Sequence, residues 1–289
     1  MNTVKIINPA AGKGKAVREI NDDCKYYVSK GIGDVEAFVK RTMIKEPETH
    51  FIICGGDGTI NEAVNGVMAS GASETAVLSA IGDGTGNDFI KYDPEVKGPV
   101  KCDVIRYNDR YFINILNIGF DCTVVERTAQ YKTKPLVNGS FAYILGVLNT
   151  LSGDLGVRMN VRSVDENGIE EEFEEDLMLC VAANARYYGG GFMPAPKADV
   201  TDGLVDMLLV RKVPKTRIPS IIGKYKKGEH FDDETGEIID KFKDIMIYRK
   251  CREIKIRGMN NICADGEIER CGEVNVSVVP RAVNFIFRK

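Results

Sequence analysis

Phe51-Ile52-Ile53-Cys54-Gly55-Gly56-Asp57-Gly58-Thr59-Ile60-Asn61-Glu62-Ala63-Val64-Asn65-Gly66-Val67 is the stretch on which the reading of this chain turns. An apolar run, a turn almost bare of side chains and a helix-like segment follow one another in that order. Such a turn leaves backbone N–H groups free to close on an anion at the positive end of a helix dipole. The segment therefore points to phosphate, and through phosphate to nucleotide chemistry.

Two further loops of the same kind bracket it. Asn8-Pro9-Ala10-Ala11-Gly12-Lys13-Gly14-Lys15 follows the apolar residues 4–7, and Gly82-Asp83-Gly84-Thr85-Gly86-Asn87-Asp88-Phe89 follows the apolar residues 76–81. One glycine turn is as well explained by a tight left-handed bend. Three at successive strand ends converge, because an open parallel sheet binds its ligands outside the carboxyl ends of its strands.

The chain has 289 residues, enough for two domains that each bury a core. A net charge of −3 gives no global basic field for nucleic acid, and no basic surface interleaved with aromatics is visible. The eight cysteines are scattered without a Cys-x-x-Cys pair, as expected of small hydrophobes in a reducing compartment. With only two histidines, His50 and His230, a zinc site or a histidine triad is not expected. No apolar run approaches the ~18–20 residues that cross a bilayer, and Met1-Asn2-Thr3-Val4-Lys5 enters a strand instead of a signal peptide. A cytoplasmic protein is expected, with any membrane contact peripheral.

Up to about residue 95 strands and helices alternate: strand 3–7, a short helix near 16–22, strand 25–28, helix 35–44, strand 51–54, helix 61–68 and strand 76–80. Alternation with short connections implies right-handed βαβ units and a Rossmann-like layer on a parallel sheet. Beyond Pro99 the segments 102–107, 111–117, 157–164, 176–183, 204–210, 245–248, 252–257 and 274–279 read as strands joined by turns, hence an antiparallel sandwich or open barrel. Helical segments at 140–151 and 214–226 interrupt it. The basic stretch 211–227 interleaves lysines with Ile218, Ile221 and Ile222, so its helix suits either an anionic bilayer surface or a solvated face offset by the acidic run 170–176.

Asn8-Pro9-Ala10-Ala11-Gly12-Lys13, Gly55 to Glu62, Gly84-Thr85-Gly86-Asn87-Asp88-Phe89 and Ala264-Asp265-Gly266-Glu267 together resemble the diacylglycerol kinase catalytic-domain family, in particular its soluble bacterial lipid kinases. Gly-Gly-Asp-Gly is shared with NAD kinases and phosphofructokinases; the Asn-Pro opening and the Gly-Thr-x-Asn-Asp-Phe loop are more particular to lipid kinases. The resemblance implies an α/β N-terminal Rossmann-like domain (1–98, completed by 281–289) and a C-terminal antiparallel β-sandwich domain (99–280) for the lipid. A final strand at 282–287 returns to the first domain, and the active site lies in the cleft between them.

Residue roles follow from the same resemblance. Asn8, Pro9, Ala10, Ala11, Gly12 and Ser29 would hold nucleotide; Gly55, Gly56, Asp57, Gly58, Thr59 and Asn61 would wrap the phosphates; Thr85, Asn87 and Asp88 would add contacts. Lys13 and Arg18 match a basic pair near the transferred phosphate. Asp202, with the carbonyls of Asp199 and Leu204, matches a structural Mg²⁺ site. Glu267 takes the position of the general base, and Asp265 is implied as catalytic with it. On chemistry alone Asp57 suits a site balanced by Mg²⁺ or an Asx turn. Asp202 equally suits a β-turn, and Asp265-Gly266 a hairpin turn with Glu267 on an exposed strand.

The implied activity is an ATP- and Mg-dependent lipid kinase that makes phosphatidic acid from diacylglycerol at a membrane surface, with peripheral membrane contact and, by family habit, a homodimer. Other lipid alcohols, NAD or a catalytically silent nucleotide-binding role remain alternatives. Two departures bear on the acceptor: Gly82-Asp83 stands where the family carries a proline, and Ile90-Lys91-Tyr92-Asp93-Pro94 replaces its usual Ala-Arg and following helix.

Overall fold

A computed structural model describes residues 2–11, 24–82, 87–92, 94, 97–120, 122–124, 126–127, 150, 153 and 155–287. The helix expected at 16–22 lies outside the described residues, as does that expected at 140–151 apart from Thr150, and so do Gly12, Lys13, Arg18 and Thr85.

The first layer comprises β1 (Asn2–Ile7), β2 (Lys25–Val28), α1 (Asp34–Lys45), β3 (Thr49–Gly55), α2 (Asp57–Ala69) and β4 (Val77–Gly82). Its strands are parallel in the order β4-β3-β1-β2. Ile6, Ile7, Phe51, Ile53 and Cys54 are fully buried, the near-continuous apolar pattern of a parallel strand covered on both faces. Val35, Val39 and Met43 recur every fourth residue on α1 and form one buried stripe that packs with Ile60, Ala63, Val64 and Val67 of α2. The two helices meet at Gly66, where a Cβ would lie 2.6 Å from the Glu36 carbonyl and 2.8 Å from Val39 Cβ.

The remaining strands are β5 (Pro99–Tyr107), β6 (Arg110–Phe112), β7 (Ile115–Gly119), β8 (Val157–Asp165), β9 (Glu170–Ala183), β10 (Val205–Arg211), β11 (Met246–Arg257), β12 (Asn261–Ala264), β13 (Glu267–Arg270) and β14 (Glu273–Ile286), with α3 (Ile218–Lys227) between β10 and β11. Pairings run β13-β12-β7-β9-β10-β11-β14, all antiparallel, while β8 joins both β9 and β11. Met159, Val161, Leu177, Cys180, Met207, Ile254, Ile256 and Val276 fill the space enclosed. An α/β layer thus adjoins an antiparallel sandwich, the architecture expected.

β14 joins the layers. Its first half pairs with β11 and its second half lies parallel to β4, Asn284-Phe285-Ile286 beside Val77-Leu78-Ser79. The crossing falls at a register shift between Val279 and Val283, where Pro280 has no N–H to give and Arg281 takes φ 54°. β5 follows β14 through the same crossing, so it too serves both layers.

Four sequence expectations change. Residues 245–248 and 252–257 form one strand, β11, and 274–279 joins the returning segment as β14. The segment 111–117 is broken after Phe112, because the amides of Ile113, Asn114 and Ile115 turn to the Asp265 carboxylate. The acidic run 170–176 is the first half of β9, neutralised locally: Glu174 meets Arg158 at 3.2 Å, Glu170 meets Arg162, and Glu171 meets Arg249 at 2.6 Å. Finally, α3 keeps its apolar face for the protein, since Ile218, Ile221 and Tyr225 are buried against Val213, Phe231 and Phe242. The apolar stripe that left two readings open in the sequence is thus taken up by the protein's own core.

Candidate active site

The carboxyl ends of β1, β3 and β4 lie level, with Ile7 beside Cys54, Cys54 beside Ile81 and Gly55 beside Gly82. Asn8 closes the first loop: its Oδ1 accepts from the Ala10 amide at 3.0 Å and its Nδ2 donates to Thr59 Oγ1 at 3.0 Å. Ser29 leaves β2 beside them, its amide bonded to the Ile7 carbonyl at 2.8 Å. Gly55 is small because Thr59 fills its place; a Cβ there would lie 2.6 Å from Thr59 Oγ1. Gly58 differs, for among the described residues a Cβ on it would meet nothing within 4 Å. The start of α2 has Gly56 at its N-cap and no side-chain cap. An uncapped helix terminus beside open space suits a phosphate group.

Asp57 has a structural task within this loop. Its Oδ2 accepts from the Asp88 amide at 2.9 Å and its Oδ1 from the Phe89 amide at 3.2 Å, so it fastens the third loop to the second. Burial pushes its carboxyl above the ordinary aspartate range and Asp88 adds to that, while the two amides and Lys91 oppose it. Main-chain amides balance this carboxylate, where sequence chemistry offered Mg²⁺ or an Asx turn. Asn87 stands at φ 45° in the same loop.

Asp88 passes the connection on to the sandwich. Its Oδ1 meets Lys91 Nζ at 2.5 Å and its Oδ2 accepts from the Gly190 amide at 2.7 Å, with Gly190 at φ 83°. The glycine-rich segment before Pro194 thus passes close to the first layer.

A second connection runs from α2 to the β12–β13 hairpin. Asn61 Nδ2 donates to Asp265 Oδ2 at 2.8 Å and to the Tyr111 carbonyl at 3.0 Å. Asp265 Oδ2 also accepts from Ile113 N at 2.9 Å, and Oδ1 from Asn114 N at 3.1 Å and Ile115 N at 2.9 Å. Burial pushes this carboxyl up to about 6 against the pull of those donors. With both oxygens engaged, Asp265 is a positioning group: its turn, with Asp265 at φ 47° and Gly266 at φ 91°, presents the next residue.

That residue is Glu267, half-buried at the start of β13. Burial raises its carboxyl above the ordinary glutamate range, Glu62, Glu269 and Glu36 raise it further, and Arg110 lowers it. Arg110 itself lies 3.3 Å from Glu36 Oε2 on α1 and 3.8 Å from Glu269 Oε1 on β13. Glu62 caps α1 by accepting from the Val35 amide at 3.0 Å. Charges on α1, α2 and β13 thus act on Glu267, with Arg110 as the cation among the described residues that lowers it, and a raised, half-buried carboxyl suits proton transfer.

Residues 2–94 match the family described as diacylglycerol kinase catalytic domain, and residues 114–287 match the YegS C-terminal NAD kinase beta sandwich-like domain. The chain belongs to the diacylglycerol kinase and YegS-like lipid kinase family. A protein of Alcanivorax borkumensis named "Probable lipid kinase YegS-like" is 32% identical over 189 residues, 62% of this chain and 60% of that one. A Shewanella frigidimarina protein of the same name is 25% identical over 94% of this chain and 86% of its own. A Staphylococcus aureus diacylglycerol kinase is 27% identical over 91% of this chain and 84% of its own. The crystal structure of a diacylglycerol kinase from Bacillus anthracis shares the fold at a TM-score of 0.67 and 17% identity, covering 99% of this chain and 97% of that one.

In this lipid kinase family member the residues assigned to a structural Mg²⁺ do not fit one. Asp202 Oδ2 lies 2.5 Å from the Lys250 ammonium, Asp202 Oδ1 accepts from the Leu204 amide, and the Asp199 carbonyl accepts from the Asp202 amide at 3.5 Å, so both Asp202 oxygens and one assigned carbonyl already have partners. Asp199 Oδ1 accepts from Tyr92 Oη, Thr201 N and Thr201 Oγ1. Among the described residues no group of three or more His, Cys, Asp or Glu side chains is arranged for a metal ion.

Sequence reasoning missed Asn65, whose Nδ2 and Oδ1 bind the Tyr111 carbonyl and amide at 2.9 and 3.1 Å and so brace Asn61. Its signal was available, for Asn61 and Asn65 lie one helical turn apart on one face. Arg110 and Lys250 were missed as well, and their positions depend on long-range strand pairing that no local pattern marks.

Proposed function

We propose that this chain is an ATP-dependent kinase that transfers the γ-phosphoryl group to the hydroxyl of diacylglycerol, giving phosphatidic acid, with Mg²⁺ entering alongside the nucleotide. One observation carries the proposal: Glu267, its carboxyl raised, follows directly on the turn that Asn61 ties to the helix of the glycine loop. The acid–base group and the phosphate loop are thereby coupled through a single hydrogen bond. The names of the relatives support the same acceptor class.

In this reading the N-terminus of α2 and the space over Gly58 receive the phosphates, and Mg²⁺ bound with the nucleotide would neutralise charge on them. Glu267 Oε accepts the acceptor's hydroxyl proton as the new O–P bond forms and the bond from the γ-phosphorus to its bridging oxygen breaks, releasing ADP. Asp265 and Asn61 hold the hairpin so that the carboxylate needs no reorganisation during transfer. The enzyme would work from the cytoplasmic side as a peripheral visitor, with the exposed lysines of α3 toward anionic headgroups.

Labelled ATP offered with diacylglycerol, sphingosine and NAD in parallel tests the assignment. Label is expected in phosphatidic acid. Label in NADP, or in no lipid while ATP still binds, would overturn it.

A further inference from the structure

The turn 199–204 lies where β14 crosses between the layers. Asp103 Oδ1 accepts from the Arg281 amide at 2.7 Å and its Oδ2 from the Gly203 amide at 2.6 Å, while Tyr92 of the first layer donates to Asp199 at 3.1 Å. Asp103, Asp199 and Asp202 are close enough to raise the Asp103 carboxyl, after burial, which is the larger cause. Asp206, only 1% exposed, adds a further carboxylate beside Asp202. Amides and hydroxyls absorb part of this negative charge, but of these carboxylates Asp103 and Asp206 are buried, and Asp206 with the exposed Asp202 beside it calls for a cation.

Sheet register supplies one from within the chain. Lys250 on β11 lies directly opposite Asp206 on β10. Its Nζ is 2.5 Å from Asp202 Oδ2, 3.5 Å from Asp206 Oδ2 and 3.2 Å from the Lys197 carbonyl. Two oxygens thus meet the ammonium at hydrogen-bond length and the Asp206 carboxylate pairs with it by charge at 3.5 Å, a set of contacts suited to an ammonium. Tyr248, on the same face of β11, donates to Asp206 Oδ1 at 2.5 Å, so both Asp206 oxygens are engaged.

We propose that Lys250 is a built-in counterion: its ammonium balances Asp202 and Asp206 beside the interdomain joint in place of a divalent ion, so the turn 199–204 is held without a structural metal. The proposal concerns the joint alone and stands whichever acceptor the enzyme uses.

The test is thermal unfolding of nucleotide-free protein, with chelator and with added MgCl₂ or CaCl₂, read alongside calorimetric titration of Mg²⁺. For the wild type the same melting temperature in both conditions and no saturable Mg²⁺ binding are expected. Lys250→Met keeps the aliphatic stem and removes the charge. Its melting temperature should fall by several degrees in chelator and recover in part with either metal, with a new Mg²⁺ isotherm. Lys250→Arg should stay metal-insensitive. Stabilisation of the wild type by Mg²⁺ with one ion bound, or a Lys250→Met protein that melts identically with and without metal, would overturn the proposal. Should Lys250→Met fail to fold in chelator, refolding into either metal decides: recovery supports the counterion role and failure contradicts it.

Discussion

Asn61 on α2 donates its side-chain hydrogen to the Asp265 carboxylate at 2.8 Å, across 204 residues of sequence. The hydrogen bond joins the helix behind the glycine loop to the hairpin that ends in Glu267, so the two halves of the site share one fixed distance. Four donors converge on Asp265, and asparagine in its place would turn an amide N–H₂ toward some of them. Asp265→Asn is expected to cost about 3 kcal/mol of stability, seen as a lower urea midpoint, because buried donors lose a charged acceptor. An unchanged midpoint would show that the hairpin does not depend on this carboxylate.

Gly58 separates folding from ligand binding. It occupies the first turn of α2 with nothing within 4 Å of its would-be Cβ. Gly58→Ala should therefore leave stability unchanged or raise it by up to ~1 kcal/mol, as expected of alanine in a helix. ATP affinity, by titration, should fall at least tenfold as the methyl enters the space for phosphate. Tight binding by this variant would move the phosphate site elsewhere.

Gly66 is the opposite case. Alanine there meets the Glu36 carbonyl and Val39, and α1 must move away from α2. A loss of about 1–3 kcal/mol is expected from such overpacking, with ATP binding weakened only through the loss of folded protein.

Arg110 sets the acid limb of the pH profile. It lowers the Glu267 carboxyl, which burial and three glutamates raise. A base works deprotonated, so rate falls as pH drops through its pKa. Removing the guanidinium raises that pKa, and Arg110→Gln should move the acid limb of kcat/KM to higher pH, with activity regained in more alkaline buffer. A limb that stays in place, or shifts to lower pH, would separate Arg110 from Glu267.

The first layer was legible because its signals are local. Residues 51–67 announce strand, glycine turn and helix in one continuous stretch, and β1 and β4 repeat the pattern. The hairpin at Asp265-Gly266 was offered by its turn residues only as an alternative to a functional motif, and the structure gives both a hairpin and a half-buried Glu267. What remained hidden depends on pairings between distant strands. Nothing near Lys250 marks it as the partner of Asp202, since the register that brings them together is set by β10 and β11. The break after Phe112 could not be seen either, because the acceptor that draws three amides out of the ladder comes from residue 265. In the same way, Ile218 and Tyr225 of α3 show an apolar face in sequence, but only the fold decides that the protein itself covers it.

The most direct test of the account is lipid phosphorylation by Glu267→Gln in mixed micelles of diacylglycerol, with ATP binding measured on the same preparation. Loss of the base predicts a fall in kcat of about 10²–10⁴-fold with nucleotide affinity and melting temperature near those of the wild type. Turnover within a few-fold of wild type would contradict the role given to Glu267 and, with it, the coupling through Asp265 and Asn61 on which the mechanism rests.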